Sequence, residues 1–136
     1  MEITGQCLCG AVAFTGTPCP DDGISVCHCG QCRRWASGPY TSLRFANGVT
    51  LTRSDGLVWF ASSDIGERGF CRDCGASLFW RKTGAERDWA VSVGAVGEGH
   101  EQEIVEHIWI DDKPDFYDFA DGAPRKTAAE CLAEGG

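Results

Sequence analysis

Apolar and polar residues alternate with a period of two over several short stretches of the chain, which is the pattern of half-buried strands. Trp89, Val91 and Val93 share one face of Trp89–Val93, and Val12 and Phe14 share one face of Ala11–Thr15. Asn47-Gly48 and Asp55-Gly56 are dipeptides that tolerate positive φ, and each sits between β-prone runs. They predict a three-stranded antiparallel meander of Tyr40–Phe45, Val49–Arg53 and Leu57–Ala61. Further strands are predicted at Ala76–Arg81 and Ile104–Ile110. Helical signals are few. One turn is predicted over Gly30–Ala36, and Thr127-Ala-Ala-Glu130 matches a capping box that opens a short helix ending at Gly135. The fold class is therefore mostly β with short helical pieces. No repeat or charge block divides the chain, so it reads as one domain over 1–125 and a short C-terminal tail over 126–136.

Composition narrows the function classes. With 136 residues, 43% of them hydrophobic and 24% charged, the chain can bury one core and is not disordered. The longest apolar-looking run, Trp89–Gly97, is far short of the ~20 residues of a membrane helix. Twelve basic residues against twenty acidic give a net charge of −8, which leaves no basic surplus for nucleic-acid phosphates. There is no P-loop, G-x-G-x-x-G or G-x-S-x-G, so nucleotide binding and serine hydrolysis have no support. The start, Met1–Gly5, lacks the basic and apolar regions of a secretory signal, and the expectation is a reducing, cytoplasmic location.

Nine cysteines are the anomaly. Seven fall into three tight groups: Cys7-Leu-Cys9-Gly10, Cys27-His28-Cys29-Gly30-Gln31-Cys32 and Cys71-Arg-Asp-Cys74-Gly75. In a reducing compartment such clusters point to metal or catalysis, and the following glycines permit the sharp turn that converging thiolates need. An all-thiolate site suits zinc or iron–sulfur, and the ferredoxin spacings are absent, so zinc is expected. Cys19 and Cys131 stand alone and read as inert thiols. Spacing leaves two partitions open. Either Cys29, Cys32, Cys71 and Cys74 form one ribbon with Cys7, Cys9 and Cys27 spare, or Cys7, Cys9, Cys71 and Cys74 hold one ion and Cys27, Cys29 and Cys32 a second. The second partition uses all seven and sets a closed site beside one with an open position.

These residues resemble a known family. Gly5-Gln-Cys7-Leu-Cys9-Gly10-Ala-Val12-Ala-Phe14, the Cys27–Arg34 run, Arg68-Gly-Phe70-Cys71-Arg-Asp-Cys74-Gly75-Ala-Ser-Leu78-Phe79 and His107-Ile-Trp109-Ile-Asp-Asp-Lys113-Pro114 are similar to the glutathione-dependent formaldehyde-activating enzyme family, also called the centromere protein V family. The resemblance covers about residues 3 to 125 and implies a β-tent of two antiparallel sheets. It also implies the second partition: a structural zinc on Cys7, Cys9, Cys71 and Cys74, and an active-site zinc on Cys27, Cys29 and Cys32. A fourth thiolate adds charge to a three-thiolate site that is already anionic, so that second zinc is expected to be held more weakly, and its exposed thiolates to leave it partly empty. The implied activity is that of a zinc-dependent carbon–sulfur lyase acting on glutathione–aldehyde adducts of the S-hydroxymethylglutathione type, with a small thiol such as glutathione as partner. The competing reading is a non-catalytic, zinc-stapled β module for protein binding, which a fourth protein ligand at the second site would favour.

Other residues carry weaker expectations. In an extended Cys27-His28-Cys29 run the imidazole points away from both sulfurs, so His28 is expected to pack or hydrogen-bond behind them. His107 is expected to be a satisfied, partly buried histidine sharing a face with Val105 and Trp109, and His100 a solvated one. Arg33 and Arg34 follow the three-cysteine group and are candidates to offset its negative charge. Trp35, Trp59, Trp80, Trp89 and Trp109 are expected in the core.

Overall fold

The computed structural model describes residues 1–97 and 99–135. Ten strands alternate with short connections: β1 (Ile3–Gln6), β2 (Ala13–Gly16), β3 (Ile24–Cys27), β4 (Tyr40–Phe45), β5 (Thr50–Arg53), β6 (Leu57–Ala61), β7 (Gly66–Cys71), β8 (Ser77–Lys82), β9 (Trp89–Ser92) and β10 (Ile104–Ile108). Three helices are short: α1 (Gly30–Ala36), α2 (Val93–Val96) and α3 (Ala128–Ala133). The mostly β expectation with few short helices is borne out. Two sheets form. One has three strands in the order β1-β2-β5, and the other seven in the order β10-β3-β4-β9-β8-β7-β6. All the pairings are antiparallel except β10 with β3, which run parallel.

The predicted meander is corrected. Its three strands exist, but none pairs with another: β4 lies between β3 and β9, β5 pairs with β2, and β6 pairs with β7. The turns reverse the chain locally while carrying it between sheets. The chain leaves the large sheet at fully buried Phe45, visits the small sheet at β5 and returns through Gly56 to β6. Two predicted strands also end early. Val93 opens α2 instead of closing β9, and β10 stops at Ile108 before a 3₁₀ turn over Ile110–Asp112.

The sheets face one another across a shared core of Phe14, Leu43, Phe45, Leu78, Phe79 and Val91, each no more than 1% exposed. Phe14 of the small sheet meets Phe79 of the large one edge-on, with centroids 5.2 Å apart. Of the tryptophans, Trp89 is buried and the other four are half-buried. The expected capping box is present, with Thr127 accepting from the Glu130 N–H and the Glu130 side chain accepting from the Thr127 N–H. Helix α3 packs against the 3₁₀ turn and buries Cys131. No helix among the described residues is long and apolar enough to cross a membrane.

Candidate metal centres

Backbone turns aim the first set of sulfurs at one point. The turn after β1 carries Cys7 and Cys9, Cys71 ends β7, and the β7–β8 connection carries Cys74. Gly10 (φ +83°) and Gly75 (φ +78°) close the two turns in the left-handed region, where a Cβ would be strained. The four Sγ atoms lie within 4.8 Å of one another, with Cys9 and Cys71, 62 positions apart in sequence, at 3.7 Å. Backbone N–H groups point at the sulfurs: Val12 N–H donates to Cys7 Sγ at 3.3 Å. At Cys74, backbone N–H donors from Ala76 and Cys9 pull the thiol down to about 6. Four sulfurs and N–H donors make a complete tetrahedral thiolate set that zinc fits.

The second set is local. Cys27 ends β3, Cys29 caps α1 and Cys32 lies in its first turn, with the Cys32 N–H donating to Cys29 Sγ at 3.3 Å. These three sulfurs also lie within 4.8 Å of one another. Among the described residues no fourth Cys, His, Asp or Glu ligand atom joins them. Hydrogen bonds with the neighbouring sulfurs of Cys27 and Cys32 hold the Cys29 thiol far below its ordinary value, while those with Cys29 and Cys32 push Cys27 up. Three soft donors and one vacant tetrahedral corner suit a zinc that takes an outside ligand. Cys19 and Cys131 join neither set.

The expected charge partners are misplaced. Arg33 Nε donates to the His28 carbonyl at 3.1 Å and Arg34 Nη1 to the Gly30 carbonyl at 3.4 Å. The guanidinium on the sulfurs is that of Arg68, from β7, whose Nη1 lies 3.5 Å from Cys32 Sγ. Within the motif Arg68-Gly-Phe70-Cys71 nothing in the spacing reveals this, because β3–α1 and β7 meet only in three dimensions.

His28 turns away from the sulfurs, as the extended geometry requires, and enters a chain of side chains. Its Nδ1 lies 2.8 Å from the Tyr117 hydroxyl, its Nε2 lies 2.9 Å from His107 Nδ1, and His107 Nε2 lies 2.9 Å from Asp121 Oδ1. One tautomer of each ring satisfies all three contacts. His107 donates to the carboxylate, His28 donates to His107, and the Tyr117 hydroxyl donates to His28. Burial, followed by the nearby His107, lowers His28 to about 4 and keeps it neutral. The pair is almost fully enclosed, at 0% and 1% exposed. His107 is thus satisfied but more deeply buried than expected. It does not share its burial with Val105, because the β10 register shifts between Ile104 and Glu106. A cavity of about 260 Å³ opens against both rings, and Lys113 and Arg125 at its rim pair with Asp118 and Asp121. Tyr117 and Asp121 lie in a segment without sequence periodicity, and no signal marked them. His100 accepts from the Gln102 N–H at 2.9 Å within its own loop.

Fold and site together define a class: a two-sheet, mostly β protein in which seven thiols converge as one set of four and one of three. The family model of the glutathione-dependent formaldehyde-activating enzyme matches residues 2–112, and the chain belongs to that family. It is similar to an uncharacterized lyase of Schizosaccharomyces pombe, 29% identical over 131 residues, which cover 96% of this chain and 95% of that one. A crystal structure of a Rhodobacter sphaeroides protein shares the fold, with a TM-score of 0.61 at 19% identity over 90% of this chain and 99% of that one.

Proposed function

We propose that this chain is a carbon–sulfur lyase-like enzyme acting on glutathione–aldehyde adducts, with Cys7, Cys9, Cys71 and Cys74 holding a structural zinc and Cys27, Cys29 and Cys32 a reactive one. The observation that carries the reading is the contrast between the two sets. One has four sulfurs and the other three with no fourth protein ligand among the described residues. The family match and the lyase name of the yeast relative support the reaction class. Bound at the three sulfurs, zinc supplies a Lewis-acidic anchor that favours thiolate over thiol at neutral pH. The chain's own part is to fix that anchor. His28, locked between Tyr117 and His107, holds the peptide that carries Cys27 and Cys29, and α1 sets Cys32 against them. Cleavage of an S-hydroxymethyl adduct breaks the C–S bond. The hydroxyl proton passes to water, its O–H electron pair becomes the second C–O bond of the aldehyde, and the sulfur leaves as thiolate. The reverse step joins thiolate and carbonyl carbon with uptake of one proton.

Zinc counting with and without glutathione, alongside NMR exchange between S-hydroxymethylglutathione and free formaldehyde, tests this. Two zinc equivalents are expected in the wild type, and Cys32→Ser should retain one zinc and lose the accelerated exchange. Exchange at the wild-type rate in Cys32→Ser overturns the enzymatic reading in favour of a zinc-stapled binding module.

A further inference from the structure

The large sheet buries a cation without burying an acid beside it. Arg68 is 5% exposed. Its Nη1 faces Cys32 Sγ at 3.5 Å, its Nη2 faces Gln31 Oε1 at 3.2 Å, and its Cζ lies 5.1 Å from the centre of the Trp35 ring. Among the described residues no carboxylate forms an ion pair with it, whereas Arg81 on the next strand has the Glu67 carboxylate at 2.7 Å. A guanidinium stays protonated in any protein environment, and a buried charge persists only when compensated. The negative charge available to Arg68 is that of the thiolates.

We propose that Arg68 is the charge-balancing and positioning residue of the three-cysteine site, and that it makes the open position select an anionic thiolate over a neutral donor. The inference rests on the reading of Cys27, Cys29 and Cys32 as a metal site. A divalent ion with three thiolates carries one surplus negative charge, which Arg68 cancels. An incoming thiolate then enters a neutral site; without Arg68 it enters an anionic one and is repelled. Trp35 beneath the guanidinium and Gln31 at its far edge fix the plane of the fork, so Cys32 is held in place as well as compensated. Arg33 and Arg34 direct these N–H groups at backbone carbonyls, whereas Arg68 directs one at a sulfur.

The test loads the whole chain with Co²⁺, whose thiolate-to-metal charge-transfer absorption counts bound sulfurs. 2-Mercaptoethanol or imidazole is then added as the fourth ligand, in wild type, Arg68→Met and Arg68→Lys. The wild type should bind two Co²⁺ and prefer the thiol. Arg68→Met should hold the second Co²⁺ about 10–100-fold more weakly, the usual penalty for losing a partner behind the ligands. Its preference for thiol over imidazole should fall by on the order of tenfold or more, since one compensating charge is gone. Arg68→Lys should restore most of that preference. Circular dichroism and the absorption of the first Co²⁺ report folding in each variant. A wild type that binds imidazole as tightly as the thiol overturns the inference without recourse to any variant. So does an Arg68→Met with unchanged preference, or an Arg68→Lys as impaired as Arg68→Met, which would make the role one of shape. A wild type that takes only one Co²⁺ overturns the metal reading and this inference with it.

Discussion

Replacing Cys74 by alanine should cost far more stability than replacing Cys27, although both side chains are half-buried. Among the described residues no strand ladder joins the two sheets, which meet through core packing and through the four-sulfur cluster. An ion on that cluster ties Cys9 to Cys71 across 62 positions. Chain-entropy arithmetic gives such a cross-link about 4 kcal/mol. The three-sulfur cluster ties residues at most five positions apart, where the same arithmetic gives about 2 kcal/mol. The unfolding entropy of a chain of this length, roughly 0.3 kcal/mol/K, converts these to losses of about 15 °C and at most 8 °C in Tm. Thermal unfolding followed by circular dichroism, with saturating zinc and with excess chelator, measures both. Chelator should lower the wild type by the two losses together, and Cys74→Ala by no more than the smaller one. The reasoning fails if Cys74→Ala melts within about 3 °C of the wild type, or if Cys27→Ala loses as much as Cys74→Ala.

Acid should erode stability through His28. Its pKa is lowered to about 4 from the ordinary 6.5, so the unfolded chain takes up a proton that the folded chain refuses between those values. Stability from this group is complete above pH 6.5 and falls by about 3 kcal/mol as the pH drops to 4. Denaturant midpoints across that range should show a slope shallower by about one proton in His28→Gln, and parallel slopes would refute it. Phe79→Ala, which removes a ring that is 0% exposed and meets Phe14, Trp59 and Trp89, should cost about 4 kcal/mol in chemical denaturation. A loss below about 1 kcal/mol would mean that the inter-sheet core is not close-packed there.

The sequence by itself determined the chemistry and much of the secondary structure. Knuckle glycines follow Cys9 and Cys74 because converging sulfurs need left-handed turns, and that local demand is visible in the spacing. The alternation at Trp89–Ser92 and the capping box at Thr127 are local in the same way, since their cause lies within a few residues. Strand β7 was illegible for the opposite reason. Gly69 looks like a strand breaker, yet a Cβ there would come within 3.0 Å of both Phe79 and Trp59, so the aromatic rings laid across it are what demand glycine. The same holds for the meander. Asn47-Gly48 and Asp55-Gly56 specify reversals but carry no information on partners, and hydrophobic contact between sheets sent β5 to β2. The site divides along the same line. Seven sulfurs were readable because ligand spacing is short-range. Arg68 and the Tyr117–His28–His107–Asp121 chain were decided by the tertiary structure alone, because a buried charge or imidazole is satisfied by whatever the fold brings within 3.5 Å, from 14 to 89 positions away.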